Sequence, residues 1–422
     1  MRPALLLLGL LSGAAPSVDD TTMSFEQYLS KVGSANLELA AQKLNVPIAE
    51  AQISLARVFP EPVLSAGVGS VDLSNVGSPI SYDVGLSQTI EIGGKRGSRV
   101  EVAKAGTSQA MSDLEDFFRT LRSNSTSDYI DALYSRMVLE RKRKTQAGFA
   151  RLVAVNAERL RAGDIGQVAY LQSRVEAQRF VSEVLAAEGT AESARLALGL
   201  RLGSSAGAIT PSGTLDIPSR SFEADKLVLR AQASRPDLAS KRYAVEVAEG
   251  KVHLAHANRW EDLTLNLGYI YTARGSQAFA QPPFSALTFG FSIPLPLARI
   301  YNGELDAAEA GKAQALLTLR QGELAVEVDV RQALARYTAA VQRVELFTGG
   351  VLTDADKVAE ATFYSYQRGS ATLLEVLDAE RTVNEVYLDY FDALSEHAKA
   401  LVAVEASANL WDVHFIDKPS SH

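Results

Sequence analysis

Two kinds of hydrophobic pattern alternate along the chain. Long tracts rich in Ala, Leu, Glu, Arg and Gln carry apolar residues at helical spacing, while shorter stretches alternate apolar with small or polar residues one by one. The last helical tract shows its period best. Val383, Tyr387, Tyr390, Leu394, Leu401 and Val404 follow four- and three-residue steps, with His397 occupying one step. Such a seam faces a neighbouring helix. No proline falls between Pro79 and Pro211, or between Pro296 and Pro419. An interior proline costs a helix about 3 kcal/mol, so these intervals permit very long helices. A helix of about 60 residues would reach about 90 Å.

The alternating stretches come in two pairs: Val63–Leu73 with Ser81–Ile92, and Leu263–Tyr271 with Ser285–Ile293. Tyr82, Val84 and Leu86 alternate with Ser81, Asp83 and Ser87. Leu263, Leu265, Leu267, Tyr269 and Tyr271 alternate with Thr264, Asn266 and Gly268, and Leu287, Phe289, Phe291 and Ile293 form the apolar set of the last stretch. Each reads as a strand with one apolar side and one polar or small side; the Gly- and Ala-rich first stretch leaves its sides open. Each pair predicts a hairpin, joined through Asp72–Ile80 and Thr272–Phe284, which are long for tight turns and suit projecting loops.

The whole pattern occurs twice, offset by about 205 to 208 residues. Gly85-Leu86-Ser87 answers Gly290-Phe291-Ser292, Gly97 answers Gly303, and Arg159–Arg179 answers Tyr366–Glu385, with Gly163 beside Gly369 and Leu171 beside Leu377. An internal duplication of helix, hairpin, long helix, glycine turn and helix follows. The expected organisation is a first repeat over 24–203 (hairpin 63–92, helices 98–200), a linker over 204–221, a second repeat over 222–412 (hairpin 263–293, helices 303–410) and a tail over 413–422.

Composition narrows the picture. With 47% hydrophobic and 22% charged residues the chain is not a disordered one. Its net charge of −8 argues against a nucleic-acid partner, and the basic run Arg141–Lys144 reads as a solvated helix face. There are no cysteines, which removes disulfides, thiolate metal sites, thiol nucleophiles and lipid attachment to an N-terminal cysteine. Residues 1–18 read as a signal peptide: Arg2, an apolar Ala4–Leu11, then Gly13, Ala14 and Ala15. No apolar run approaches the ~20 residues of a membrane-crossing helix, so if the chain enters a membrane it does so as strands. Four strands cannot close a barrel in lipid, where open edges leave backbone groups unpaired, and closed barrels begin at about eight strands. Several copies must then share one barrel. Three would give twelve strands, although strand counting alone leaves two, three or four copies open.

The duplicated order and local motifs resemble the TolC-like outer-membrane efflux proteins over roughly Ser24–Trp411. The carrying segments are Gln88–Gly106 (QTIEIGGKRGSRVEVAKAG), Ser234–Tyr269, Ser292–Leu297 (SIPLPL) and the two glycine turns. The first and third look most like the heavy-metal, cobalt–zinc–cadmium, resistance branch. The resemblance implies a mainly α chain that forms a homotrimer: a twelve-stranded β-barrel in outer-membrane lipid above a long α-helical coiled-coil barrel spanning the periplasm. It also implies contact with a periplasmic adaptor protein and, through it, with an inner-membrane RND-type pump. Such a duct does no chemistry and needs no cofactor.

The resemblance also assigns residues. The turns Arg161-Ala162-Gly163-Asp164 and Gln367-Arg368-Gly369-Ser370 would be the helix tips, with Arg161, Gly163, Asp164, Arg368, Gly369 and Ser370 offered to the adaptor. Glu375 and Asp378, three apart on one helix face, match an acidic pair that lines the pore at its periplasmic end, where rings of carboxylates favour cations. Tyr366 matches a tyrosine at the closed constriction. Two positions depart from the pattern: Ala371 stands where an arginine is expected and Ala169 where an aspartate is, so the polar lock of the archetype is in doubt.

Other readings carry less. Gly93-Gly94-Lys95-Arg96-Gly97 lacks the Ser or Thr after lysine and the leading glycine, at Thr89, of a phosphate loop, and reads as a strand-to-helix turn. His253 and His256 lie three apart on a helix without a third ligand, so no metal site is expected, and no nucleophile–base arrangement suggests a catalytic residue. The functional expectation is a passive exit duct for metal cations or small toxic compounds. The alternatives are the outer-membrane duct of a type I protein secretion system and a soluble coiled-coil scaffold, which would leave the alternating hairpins unexplained.

Overall fold

The computed structural model describes residues 21–70, 79–204, 209–274, 282–295 and 303–411. The expected signal peptide (1–18), the tail (413–422) and most of both hairpin connections lie outside the described residues. In chain order the first half runs β1 (Thr21–Met23), α1 (Phe25–Ala35), α2 (Leu37–Lys43), α3 (Asn45–Ala56), β2 (Val63–Ser70), β3 (Ile80–Ile90), α4 (Lys95–Ala162) and α5 (Gln167–Arg201). The second half runs β4 (Ile209–Pro211), α6 (Ala224–Ser234), α7 (Pro236–Ala257), β5 (Leu263–Thr272), β6 (Phe284–Ser292), α8 (Gly303–Leu346), a π turn (Phe347–Val351), α9 (Leu352–Gln367) and α10 (Leu373–Ala408). Contacts gather these into two units, one from residues 1–42, 116–235 and 325–422, the other from 43–115 and 236–324.

The second unit holds an antiparallel four-stranded sheet in the order β2-β3-β5-β6. Its register stacks one row of residues over the next: Leu64, Leu86, Leu267 and Phe289 are direct neighbours, as are Ala66, Val84, Tyr269 and Leu287. Directly opposed residues share a face, so one face is a continuous apolar surface. The other carries Ser65-Gly85-Gly268-Thr288 and Ser87-Asn266-Gly290. The register also settles the first strand, with Leu64, Ala66 and Val68 on the apolar face. Most of that face is uncovered, with Tyr271 41% and Phe289 76% exposed, while Leu263 and Leu265 are partly covered. Buried apolar surface is the ordinary driving force of folding, and this sheet leaves its apolar side outward. Where the strands give way to helices, Gly93 and Gly94 turn the chain from β3 into α4, and Lys95 pairs with Asp262 at 2.8 Å beside the Arg99–Glu91 pair.

The first unit is helical, with α10 buried along most of its length. Val383, Leu394, His397, Leu401 and Val404 are buried, and Tyr387 and Tyr390 half-buried, as the seam predicts. Part of the inter-repeat stretch is fixed rather than slack. β4 pairs in parallel with β1, Leu215 is fully buried, and buried Tyr129 donates to Met23 O (2.8 Å) while accepting from the Ser212 N–H (3.0 Å).

The proline-free intervals predict unbroken helices, and α4 runs for 68 residues. Its counterpart is broken. α8 ends after 44 residues in the π turn, where Gly350 takes φ 135° and ψ −19°. Only glycine enters that region without steric cost, and the Gly349-Gly350 pair supplies it.

Candidate functional site

The two glycine turns close their helices with the same bonds. Gly163 (φ 85°) donates its N–H to Leu160 O at 3.1 Å and Asp164 to Arg159 O at 2.8 Å; Gly369 (φ 78°) donates to Tyr366 O at 3.0 Å and Ser370 to Ser365 O at 2.9 Å. This six-to-one plus five-to-two pairing stops a helix by satisfying its last carbonyls, and its left-handed position favours glycine. Arg161, Gly163, Asp164, Arg368, Gly369 and Ser370 are all exposed. Arg161 pairs with Glu158 at 2.6 Å, and Arg368 lies 4.4 Å from the Tyr364 ring centroid. The six residues form two similar solvent-facing tips.

Beneath the tips lies a compact core made by four helices. Phe149 and Leu152 of α4, Phe180 of α5, Tyr366 of α9 and Val376 and Leu377 of α10 pack together, with Phe149 and Phe180 stacked at 4.5 Å. Tyr366 is 3% exposed. Its hydroxyl donates to Asn156 Oδ1 at 2.6 Å, and Arg159 spans its ring at 4.6 Å while donating to its carbonyl at 3.0 Å. In this conformation Tyr366 packs the tip from within and does not line open space. Ala371 packs against the same core, where a small side chain lets the turn lie close.

Glu375 and Asp378 are exposed on α10. Glu375 also secures the helix it stands on. Its carboxylate accepts from the Thr372 N–H (2.6 Å) and hydroxyl (3.0 Å), while its own N–H donates to Thr372 Oγ1 (3.3 Å). This is a capping box that satisfies donors at the start of α10. The bonds from Thr372, backbone first, hold the Glu375 carboxyl below its ordinary pKa. The equivalent start of α5 has Gly166 and no side-chain cap.

One turn further along α10, Arg381 reaches α5. Its guanidinium meets Glu176 through Nε (2.9 Å) and Nη2 (2.6 Å), and Glu176 is 7% exposed. The hydrogen bond from Arg381 lowers the Glu176 pKa. The next carboxyl, Glu380, behaves oppositely: burial raises its pKa, against the opposing pull of Arg141, Arg151 and Lys144. Sequence reasoning passed over the Glu176–Arg381 clamp. The available signal was Glu176 itself, the single acid among the buried positions Ser173, Phe180, Val184, Ala187 and Ala191 of α5.

The remaining candidates lie elsewhere. His253 stands 3.2 Å from Glu101, both exposed, in the sheet-bearing unit. Among the described residues there is no group of three His, Cys, Asp or Glu side chains placed to hold a metal, and no described helix is long and apolar enough to cross a membrane.

Residues 29–204 and 227–410 match the outer membrane efflux protein family, in two segments that follow the two halves of the chain. The chain belongs to this family. It is 25% identical over 391 residues to the cobalt-zinc-cadmium resistance protein CzcC of Cupriavidus metallidurans, covering 91% of this chain and 89% of that one. Among solved structures, CusC, described in terms of folding and transmembrane channel formation, superposes with a TM-score of 0.76 at 19% identity and 95% coverage of both chains. The open-state MtrE outer membrane channel of Neisseria gonorrhoeae gives 0.72 at 17% identity, covering 94% of this chain and 93% of that one. These structural likenesses speak for a TolC-like channel fold. As an outer membrane efflux protein the chain is a channel component of the Gram-negative outer membrane.

Proposed function

We propose that three copies of the chain form the outer-membrane exit duct of a tripartite efflux system. The observation that supports it is the sheet, apolar and mostly uncovered on one face, with β2 and β6 at its two edges. In lipid each edge needs a partner, and identical copies provide one by joining β2 of one to β6 of the next. Three copies give a twelve-stranded barrel with the apolar face toward lipid and the Ser-, Gly- and Asn-bearing face toward the lumen. The helices of the other unit form the periplasmic part of the duct. Its exposed tips at Arg161–Asp164 and Arg368–Ser370 meet the adaptor, and an inner-membrane RND-type pump supplies the energy. Glu375 and Asp378 line the periplasmic entrance as carboxylate rings that favour cations. Tyr366 contributes by holding α9 and α10 against α4 and α5, so the entrance stays narrow while that core is intact.

The likeness to CzcC favours metal cations as cargo. The decisive experiment fractionates the membranes and sizes the detergent-extracted protein: a trimer in the outer membrane supports the duct, and a single copy in the soluble fraction defeats it. Deleting the gene should sensitise cells to cobalt, zinc or cadmium. Unchanged metal tolerance with new sensitivity to organic toxins would reassign the cargo.

A further inference from the structure

β2, β3, β5 and β6 contain one charged residue, Asp83 of β3. Register places it on the polar face, in the row Gly67-Asp83-Ile270-Ala286. Along β3 its same-face neighbours are Ser81 and Gly85, and across on β2 are Ser65, Gly67 and Gly69. The carboxylate lies over Gly67, where a Cβ would come within 2.5 Å of Oδ1 and 2.8 Å of Oδ2. Asp and Gly are both disfavoured in strand interiors. Here they face one another, and the glycine makes room for the acid. Among the described residues no ion pair engages Asp83.

We infer that Asp83 is a second determinant of ion preference: a ring of three carboxylates inside the β-barrel, separate from Glu375 and Asp378 at the periplasmic entrance, that favours cations over anions on their way out. The inference rests on the trimeric duct proposed above. Each copy supplies one Asp83, leaning toward β2 and thus toward the joint with the next copy. Twelve strands about 4.8 Å apart and tilted about 40° make a barrel of roughly 12 Å radius. Carboxylates projecting inward from that wall would stand roughly 15 Å apart, beyond the ~8 Å screening length of physiological salt. Each therefore acts largely alone on a passing ion. The ring is a biasing charge rather than a tight binding site, and its effect must fade as salt rises.

The test is single-channel recording of the purified full-length protein in planar bilayers under a KCl gradient. Asp83→Asn should lower the K⁺/Cl⁻ permeability ratio about two-fold near 0.1 M salt and leave it unchanged near 1 M, where screening falls to about 3 Å. Adding Ser87→Asp, which returns a carboxylate to the same face of β3, should restore the preference. A merely structural role for Asp83 would not respond to a charge moved four residues away. Asp83→Asn trimers that conduct with the wild-type ratio at 0.1 M salt overturn the inference and leave the duct standing. A wild-type protein that sizes as one copy and opens no channel removes both.

Discussion

At the scale of residues, neighbouring carboxyls on α10 and α5 answer pH in opposite directions. Glu176, held by Arg381, has a folded-state pKa below its ordinary value. Its contribution to stability is present above the ordinary carboxylate range and is lost as pH falls through the lower folded value. Glu380 is raised by burial, so its contribution is complete at low pH and is lost as pH rises through that raised value. Glu380→Gln should therefore stabilise the helical unit at neutral pH, with the gain disappearing below the ordinary carboxylate range, as read by thermal melting in detergent across pH. Arg381→Ala leaves a nearly buried carboxylate with only Arg179, 3.5 Å away. Arg381 is itself 36% exposed, so the loss should be about 1–2 kcal/mol at neutral pH, less than for a fully buried pair, and it should shrink as pH falls, because the parent then loses the pair's contribution too. Tyr366→Phe removes one hydrogen bond to buried Asn156 and should cost about 1 kcal/mol.

At the scale of elements, the second tip is the better secured at its helix start, because the Thr372–Glu375 box caps α10 while Gly166 offers no side chain to α5. Gly369→Ala forces a Cβ into left-handed geometry and should destabilise the turn by about 1 kcal/mol. Hydrogen exchange of the Gly369 and Ser370 amides, which close the turn, measures it: unchanged protection would show that the turn does not depend on its glycine. Much of this level was legible in the chain. Missing prolines announced α4, alternation announced β5, and the glycines between helical tracts announced both tips. The break after α8 was not legible, since Gly349-Gly350 inside a helical pattern costs only about 1 kcal/mol per glycine and many helices absorb it. β1 and β4 are three residues each, too short for a period to show. Thr372-x-x-Glu375 was readable as a capping box, but the resemblance directed attention to the acid's charge alone. The inward placement of Tyr366 depends on Phe149, Asn156 and Phe180, some 200 positions away, and no local spacing reveals such partners.

At the scale of the whole molecule, the apolar sheet face is the feature that demands a lipid environment. Leu267→Arg, in the second of the two inner strands, should lower the amount of outer-membrane trimer sharply, because a cation on the lipid face costs about 2–4 kcal/mol near the bilayer midplane and would appear three times in the proposed trimer. Asn266→Arg, one residue along and on the opposite face, should leave insertion intact and alter only conduction. Equal loss of trimer from both substitutions would mean that the two faces are not distinguished by lipid and lumen. Heat resistance of the extracted complex should also rise with protein concentration, since assembly and stability are linked by mass action.

The unpaired margins at β2 and β6 have a genetic corollary. In the trimeric duct proposed above each copy would complete the wall for both of its neighbours, so a copy that inserts but cannot pair would spoil the ring it joins. In a cell expressing equal amounts of sound and margin-defective chains, random threefold mixing leaves about one ring in eight free of the defect. A lesion confined to either margin should thus behave as dominant, whereas a lesion that merely prevents export should be recessive.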